Sequence, residues 1–105
     1  MMMNWRRRAT YRAAVERAFR PYRQQAGVRC AFCGTVGDDI APAHLFGAGA
    51  FPQLREIEEN ILPLCFSCHR WYDSASIEAR RLAVERVVPG RWLFLSKNLE
   101  KTLDF

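Results

Sequence analysis

The chain has 105 residues, room for one domain with a modest core, and its 50% hydrophobic and 12% aromatic content argues against a disordered chain. No apolar run approaches the roughly 18 residues of a membrane span, and the basic start from Met1 to Arg8 has no apolar stretch behind it. A membrane protein and a secretory leader are therefore not expected, and an intracellular or virus-encoded protein is.

The net charge of +5 is unevenly spread. Arg6, Arg7, Arg8, Arg12, Arg17, Arg20, Arg23 and Arg29 face only Glu16 in the first 29 residues, and the remainder is close to balance. A basic segment on a near-neutral body suits phosphate contact, because arginine gains affinity by displacing condensed counterions from nucleic acid. The plainer reading is a solvated helix face.

In chain order, Trp5 to Gln25 reads as a helix. Tyr11, Val15, Ala18, Phe19 and Tyr22 recur at three- and four-residue steps, with arginines mostly on the other faces. The aromatic positions read as core packing. Pro21 should end or kink this helix, and Gly27 is a natural stop. Val28 to Thr35 holds Cys30-Ala31-Phe32-Cys33-Gly34, a tight turn in which Gly34 permits a positive φ. Gly37, Asp38 and Asp39 make a turn, and Ile40 to Phe46 suits a short strand that Pro42 confines to an edge or an irregular start.

Gly47, Gly49 and Pro52 punctuate a loop, Gln53 to Glu59 suits a helical turn, and Ile61 to Leu64 is a second short strand leading into Cys65. A helix should begin at Ser67 or Cys68 and pass through Trp71 and Tyr72, with Trp71 more at home in a core than on a surface. Ser74 or Ser76 should cap another helix, Ile77 to Val88, with Ile77, Arg81, Val84 and Val88 on one stripe before Pro89-Gly90 stops it. Trp92, Leu95, Leu99 and Leu103 recur at helical spacing and predict a final amphipathic helix. Phe94 leaves room for a strand there instead.

The four cysteines form two Cys-x-x-Cys pairs, Cys30/Cys33 and Cys65/Cys68. Without a secretory leader disulfides are not expected, so a metal leads. Two intervening residues bring both thiolates to one ion from a single turn, and two such turns complete a tetrahedral zinc site. Between and after the pairs stand His44, Asn60 and His69, the last directly behind a ligand cysteine, so a bound metal would pin its backbone.

This pattern, Cys-x-x-Cys, His, Asn, Cys-x-x-Cys-His, resembles the zinc-stapled branch of the HNH endonucleases. Asn60 stands five positions before Cys65, as in that family's Asn-x-x-x-x-Cys-x-x-Cys-His stretch. The resemblance covers about Cys30 to Tyr72. It implies an α+β fold: a ββα-metal core at residues 30–73 between a basic N-terminal helix (1–29) and a C-terminal helical region (74–105). It also implies a metal-dependent nuclease acting on double-stranded DNA, and a phage or mobile-element setting. His44 would be the general base, Asn60 the residue that fixes the loop and orients it, and His69 a ligand of a catalytic Mg²⁺ or other divalent ion.

Ala43 departs from the family, which commonly has a metal ligand there. Asp73, four residues after His69, shares its helix face and is the candidate substitute, though it equally suits a cap of the following helix. Arg6, Arg7, Arg8, Arg12 and Arg70 are the candidate nucleic-acid contacts, and Trp71 could meet a sugar or base beside Arg70, though it reads more readily as core. Taken singly, His44 also reads as an ordinary hydrogen-bonded histidine, Asn60 as a turn former, and His69 as a zinc ligand of a Cys₃His site. Glu56, Glu58 and Glu59 read as a solvated face. Beside the nuclease stand two other functions: a non-catalytic zinc module that binds nucleic acid, and an assembly adaptor.

Overall fold

The computed structural model describes residues 2–103, and side chains from 9 to 100. Helix α1 (Met2–Phe19) stops two residues before Pro21, whose ring cannot continue a helix; a 3₁₀ turn, Arg20–Tyr22, follows. Residues 23–25 are therefore not helical as expected. Strand β1 (Arg23–Gln24) turns back on β2 (Gly27–Arg29), which pairs in turn with β3 (Val36–Gly37). Gly27 does not end a helix. At φ +134° it enters the second strand of this hairpin, with its partner Gln24 opposite.

A second antiparallel pair joins β4 (Ala41–His44) to β5 (Ile61–Leu64), in the register Ala43 to Leu62 and His44 to Ile61. The intervening loop contains 3₁₀ turns at Pro52–Leu54 and Glu58–Asn60 in place of one helical turn. Then come α2 (Phe66–Ser74), α3 (Ile77–Val87) and α4 (Arg91–Leu103). The whole is a small α+β structure with helices and two small antiparallel sheets. None of its described helices is long and apolar enough to cross a membrane.

Alternation along β4 and β5 sorts their side chains between two apolar clusters. Ala43, Leu62 and Leu64 join the larger one, with Tyr72 of α2, Val84 of α3 and Leu95 of α4. Ile61 joins the smaller one, where Ala14 and Phe19 of α1 meet it and Tyr11, Val15 and Ala18 pack at the edge. Helix α1 thus covers the side of the hairpin that carries His44. Side chains on either flank hold the Glu58–Asn60 turn. Arg17 pairs with Glu58 at 2.8 Å, so Glu58 is engaged rather than merely solvated, and Arg91 donates to the Glu59 carbonyl at 2.9 Å.

Ser76, not Ser74, caps α3, accepting from the Ala79 amide at 3.1 Å. The expected stripe on α3 is narrower than its spacing suggested. Val84 is fully buried, whereas Ile77 in the first turn is 72% exposed. The last segment is a helix, not a strand. Leu95 is fully buried in it, Trp92 and Leu99 pack against the core, and the Leu103 side chain lies outside the described residues.

Candidate functional site

The two Cys-x-x-Cys turns meet. One ligand atom from each of Cys30, Cys33, Cys65 and Cys68 lies within 4.8 Å of the others, and all four thiols are free. The Cys33 and Cys65 sulfurs stand 3.7 Å apart. That is far beyond the roughly 2.05 Å of a disulfide bond. It matches the separation of about 3.8 Å between sulfurs bound at about 2.3 Å in a tetrahedron. The donor set and spacing therefore fit one tetrahedral metal ion.

Local backbone makes each half of the cluster. After Cys30 the chain reverses: the Gly34 amide reaches the Cys30 carbonyl at 3.0 Å, and the Cys30 amide reaches the Thr35 carbonyl at 2.7 Å. Gly34 has φ +81°, with nothing near the position of a Cβ, so the positive φ is what requires glycine. In the second half Cys65 stands at the N-cap of α2 and its carbonyl accepts the His69 amide at 2.9 Å. The thiols differ in acidity. Hydrogen bonds from Thr35, side chain first, bring Cys33 down to about 6, while burial and the neighbouring thiols push Cys68 up.

His44, at the end of β4, places its Nε2 3.0 Å from the Arg55 carbonyl oxygen. A carbonyl only accepts, so a neutral His44 carries its proton on Nε2 and keeps the Nδ1 lone pair. Its ring stacks on Tyr11 of α1, with centroids 5.7 Å apart and planes 22° from parallel. Burial raises the Tyr11 pKa, against the opposing pull of Arg55. Asn60 is completely buried. Its Oδ1 accepts the Phe46 amide at 2.8 Å, and its Nδ2 donates to the Phe46 carbonyl at 3.0 Å and the Leu54 carbonyl at 3.1 Å. These bonds close the loop immediately before Arg55, whose carbonyl engages His44. No hydrogen bond joins the Asn60 and His44 side chains.

His69 and Asp73 lie one helical turn apart, His69 Nε2 and Asp73 Oδ2 being 3.6 Å apart. Asp73 is not the cap of α3, since Ser76 does that. Among the described residues no second group of three or more metal-ligating side chains is gathered, so this pair is at most half of a site. Ala43 is 1% exposed and turned into the core, where no ligand is on offer. His44 and His69 make no hydrogen bond or ring contact with each other.

Tyr72, next to Asp73, was readable in the sequence only as a helix residue. Its hydroxyl donates to the Leu45 carbonyl at 2.6 Å and so locks α2 to the end of β4, beside His44. Burial raises its pKa above the ordinary value of about 10, outweighing Arg80, whose guanidinium lies 5.2 Å over the ring. The native state therefore holds this proton where the unfolded chain releases it. The contribution is complete below about pH 10 and shrinks as pH rises beyond it. Tyr72→Phe is expected to cost about 1–2 kcal/mol at neutral pH, by leaving the Leu45 carbonyl unpaired. It should also lessen the alkaline loss of stability. Urea unfolding of both proteins across alkaline pH checks this, and parallel curves would refute it.

Of the candidate nucleic-acid contacts, Arg12 and Arg70 are exposed, while the side chains of Arg6, Arg7 and Arg8 lie outside the described residues. Arg70 extends over the Phe66 ring, 5.7 Å from its centroid. Trp71, expected in the core, is 45% exposed. Three participants escaped sequence reasoning: Tyr11, the Arg55 carbonyl and the Tyr72 hydroxyl. Helical spacing turns Tyr11 inward, but nothing local says that a histidine 33 positions later is what it meets. Comparison of the chain with protein-family models, with curated proteins and with solved structures returns no match.

Proposed function

We propose that this chain is a zinc-stapled, metal-dependent nuclease of the HNH type, with His44 as general base for hydrolysis of a phosphodiester bond in DNA. The observation that carries the reading is the pairing of His44 Nε2 with the Arg55 carbonyl, which selects the tautomer with Nδ1 open. A water hydrogen-bonded to Nδ1 gives up its proton there as its oxygen attacks phosphorus. Asn60 acts at one remove. By closing the loop from Phe46 to Leu54 it sets the carbonyl that fixes the ring. Cys30, Cys33, Cys65 and Cys68 would hold the zinc, whose part is structural. His69 and Asp73 would hold a catalytic divalent ion with phosphate and water oxygens completing its shell, supplying positive charge to the leaving oxygen. The order strand, strand, helix in β4, β5 and α2 is that of the family's core.

A second reading, a non-catalytic zinc module that binds nucleic acid, draws on Ala43, which contributes packing where the family has a ligand. Plasmid relaxation separates the two. With Mg²⁺, Mn²⁺ or Ni²⁺ the wild type should nick DNA, and His44→Ala should lower the rate by about 10²–10⁴ while its circular dichroism stays native. Asp73→Ala should weaken binding of the divalent ion, so that cleavage needs a higher ion concentration. Binding without cleavage under every ion, equal in wild type and His44→Ala, would replace the nuclease with the binding module.

A further inference from the structure

Helix α2 presents different chemistry on its two flanks. At 3.6 residues per turn, His69 and Trp71 project about 160° apart, so the Trp71 side faces away from the histidine pair. Beside Trp71 is an open groove of about 320 Å³ lined by Phe32, Cys33, Ser67, Cys68, Trp71 and Arg86. Phe32 meets the Trp71 ring edge-on, with centroids 6.3 Å apart and planes at 79°, which restrains an indole that is nearly half exposed. Arg86, on α3, has no ion pair among the described residues. On the outer surface of the same helix a second exposed ring, Phe66, lies beneath the Arg70 guanidinium.

We propose that this groove receives an unpaired nucleobase stacked on Trp71, with Arg86 on the adjacent phosphate, and that Phe66 and Arg70 continue the path of a single strand across α2. The volume is near the lower end for small-ligand pockets and suits one planar base. An exposed, edge-braced aromatic ring offers a π-face that any base can use, and a flanking arginine tracks the backbone. A duplex keeps its base faces stacked inside, so it cannot use the ring. An apolar peptide would use the rings and leave the free Arg86 without an anion, whereas a nucleic-acid strand engages both. The inference does not depend on cleavage; the groove at Trp71 lies on the flank of α2 away from His69 and Asp73, and Phe66 and Arg70 carry the strand round the helix toward that pair.

Fluorescence anisotropy on the zinc-loaded full chain tests it. The probes are a short labelled single-stranded oligodeoxynucleotide, a tract of abasic sites of the same length, and a duplex of the same sequence. Stacking at Trp71 predicts that the wild type binds the base-bearing strand about tenfold more tightly than the abasic one. Trp71→Ala should erase that difference, Trp71→Phe should keep most of it, and duplex affinity should not move. Equal wild-type affinity for abasic and base-bearing strands, no single-strand binding at all, or an undiminished preference in a folded Trp71→Ala protein overturns the proposal. Should Trp71→Ala fail to fold, the wild-type comparison of the two strands decides alone.

Discussion

A strong chelator is expected to unfold the chain, by withdrawing the metal ion that Cys30, Cys33, Cys65 and Cys68 would hold. The cluster joins the turn that links β2 to β3 with the start of α2, beside the Ala31 amide bond to the Pro63 carbonyl and the packing of Phe32 on Trp71 and Tyr72. Cys30 and Cys65 are buried in the main core, so an ion held by them would tie both turns to the packing of the whole chain. Structural zinc in small domains contributes about 10–16 kcal/mol at neutral pH, as much as the roughly 5–15 kcal/mol that is the whole net stability of a typical protein. With a strong chelator, far-ultraviolet circular dichroism should fall to that of an unfolded chain, and stoichiometric zinc should restore it. Cys65→Ser should show the same loss without any chelator. Native protein that carries no zinc by elemental analysis and melts identically with and without chelator would mean that packing alone gathers the thiols.

Asn60→Ala is expected to be the most destabilising substitution outside the cysteines, at about 4 kcal/mol. One side chain satisfies the Phe46 amide, the Phe46 carbonyl and the Leu54 carbonyl, and it does so without solvent access. Truncation leaves the Phe46 amide and carbonyl buried and unpaired, each costing about 1–3 kcal/mol before relaxation or water entry recovers part, and leaves the Leu54 carbonyl with only the Ile57 amide at 3.3 Å. Asn60→Asp should not rescue the protein, although it is nearly isosteric. A carboxylate still accepts from the Phe46 amide, but it offers no donor to the two carbonyls and places a buried charge against them. Urea denaturation measures the loss. A cost below about 1 kcal/mol for Asn60→Ala would show that the loop is held elsewhere, by the Leu45 amide on the Asn60 carbonyl at 2.8 Å and by packing of Leu54. The Asn60 side chain would then have no part in positioning His44.

Local rules carried far in this chain where the cause is local. Pro21 ends a helix because its ring does so in any context, Gly34 takes a positive φ because the tight turn after Cys33 needs one, and two Cys-x-x-Cys pairs announced thiols that gather in one cluster fit for a metal ion. Helical periodicity located α1, α3 and α4, although α1 ends at Phe19, six residues short of the expected Gln25. The β1-β2-β3 sheet was not legible, because two- and three-residue strands have no period, and β3 meets β2 only across the Cys30–Cys33 turn. Trp71 was misplaced for a related reason. Apolar character says that a side chain gains by leaving water, not that the fold has space to bury it.

By itself, then, the sequence determined the two Cys-x-x-Cys pairs as candidate metal ligands, the approximate positions of the main helices and the i,i+4 pairing of His69 with Asp73, all consequences of spacing along the chain. Only tertiary structure decided that Tyr11 stacks on His44, that the Arg55 carbonyl selects the imidazole tautomer, and that Asn60 closes the loop between them. Those contacts join residues far apart in the chain. Their geometry depends on which face of a short hairpin α1 covers, and that choice belongs to the packing of the whole core.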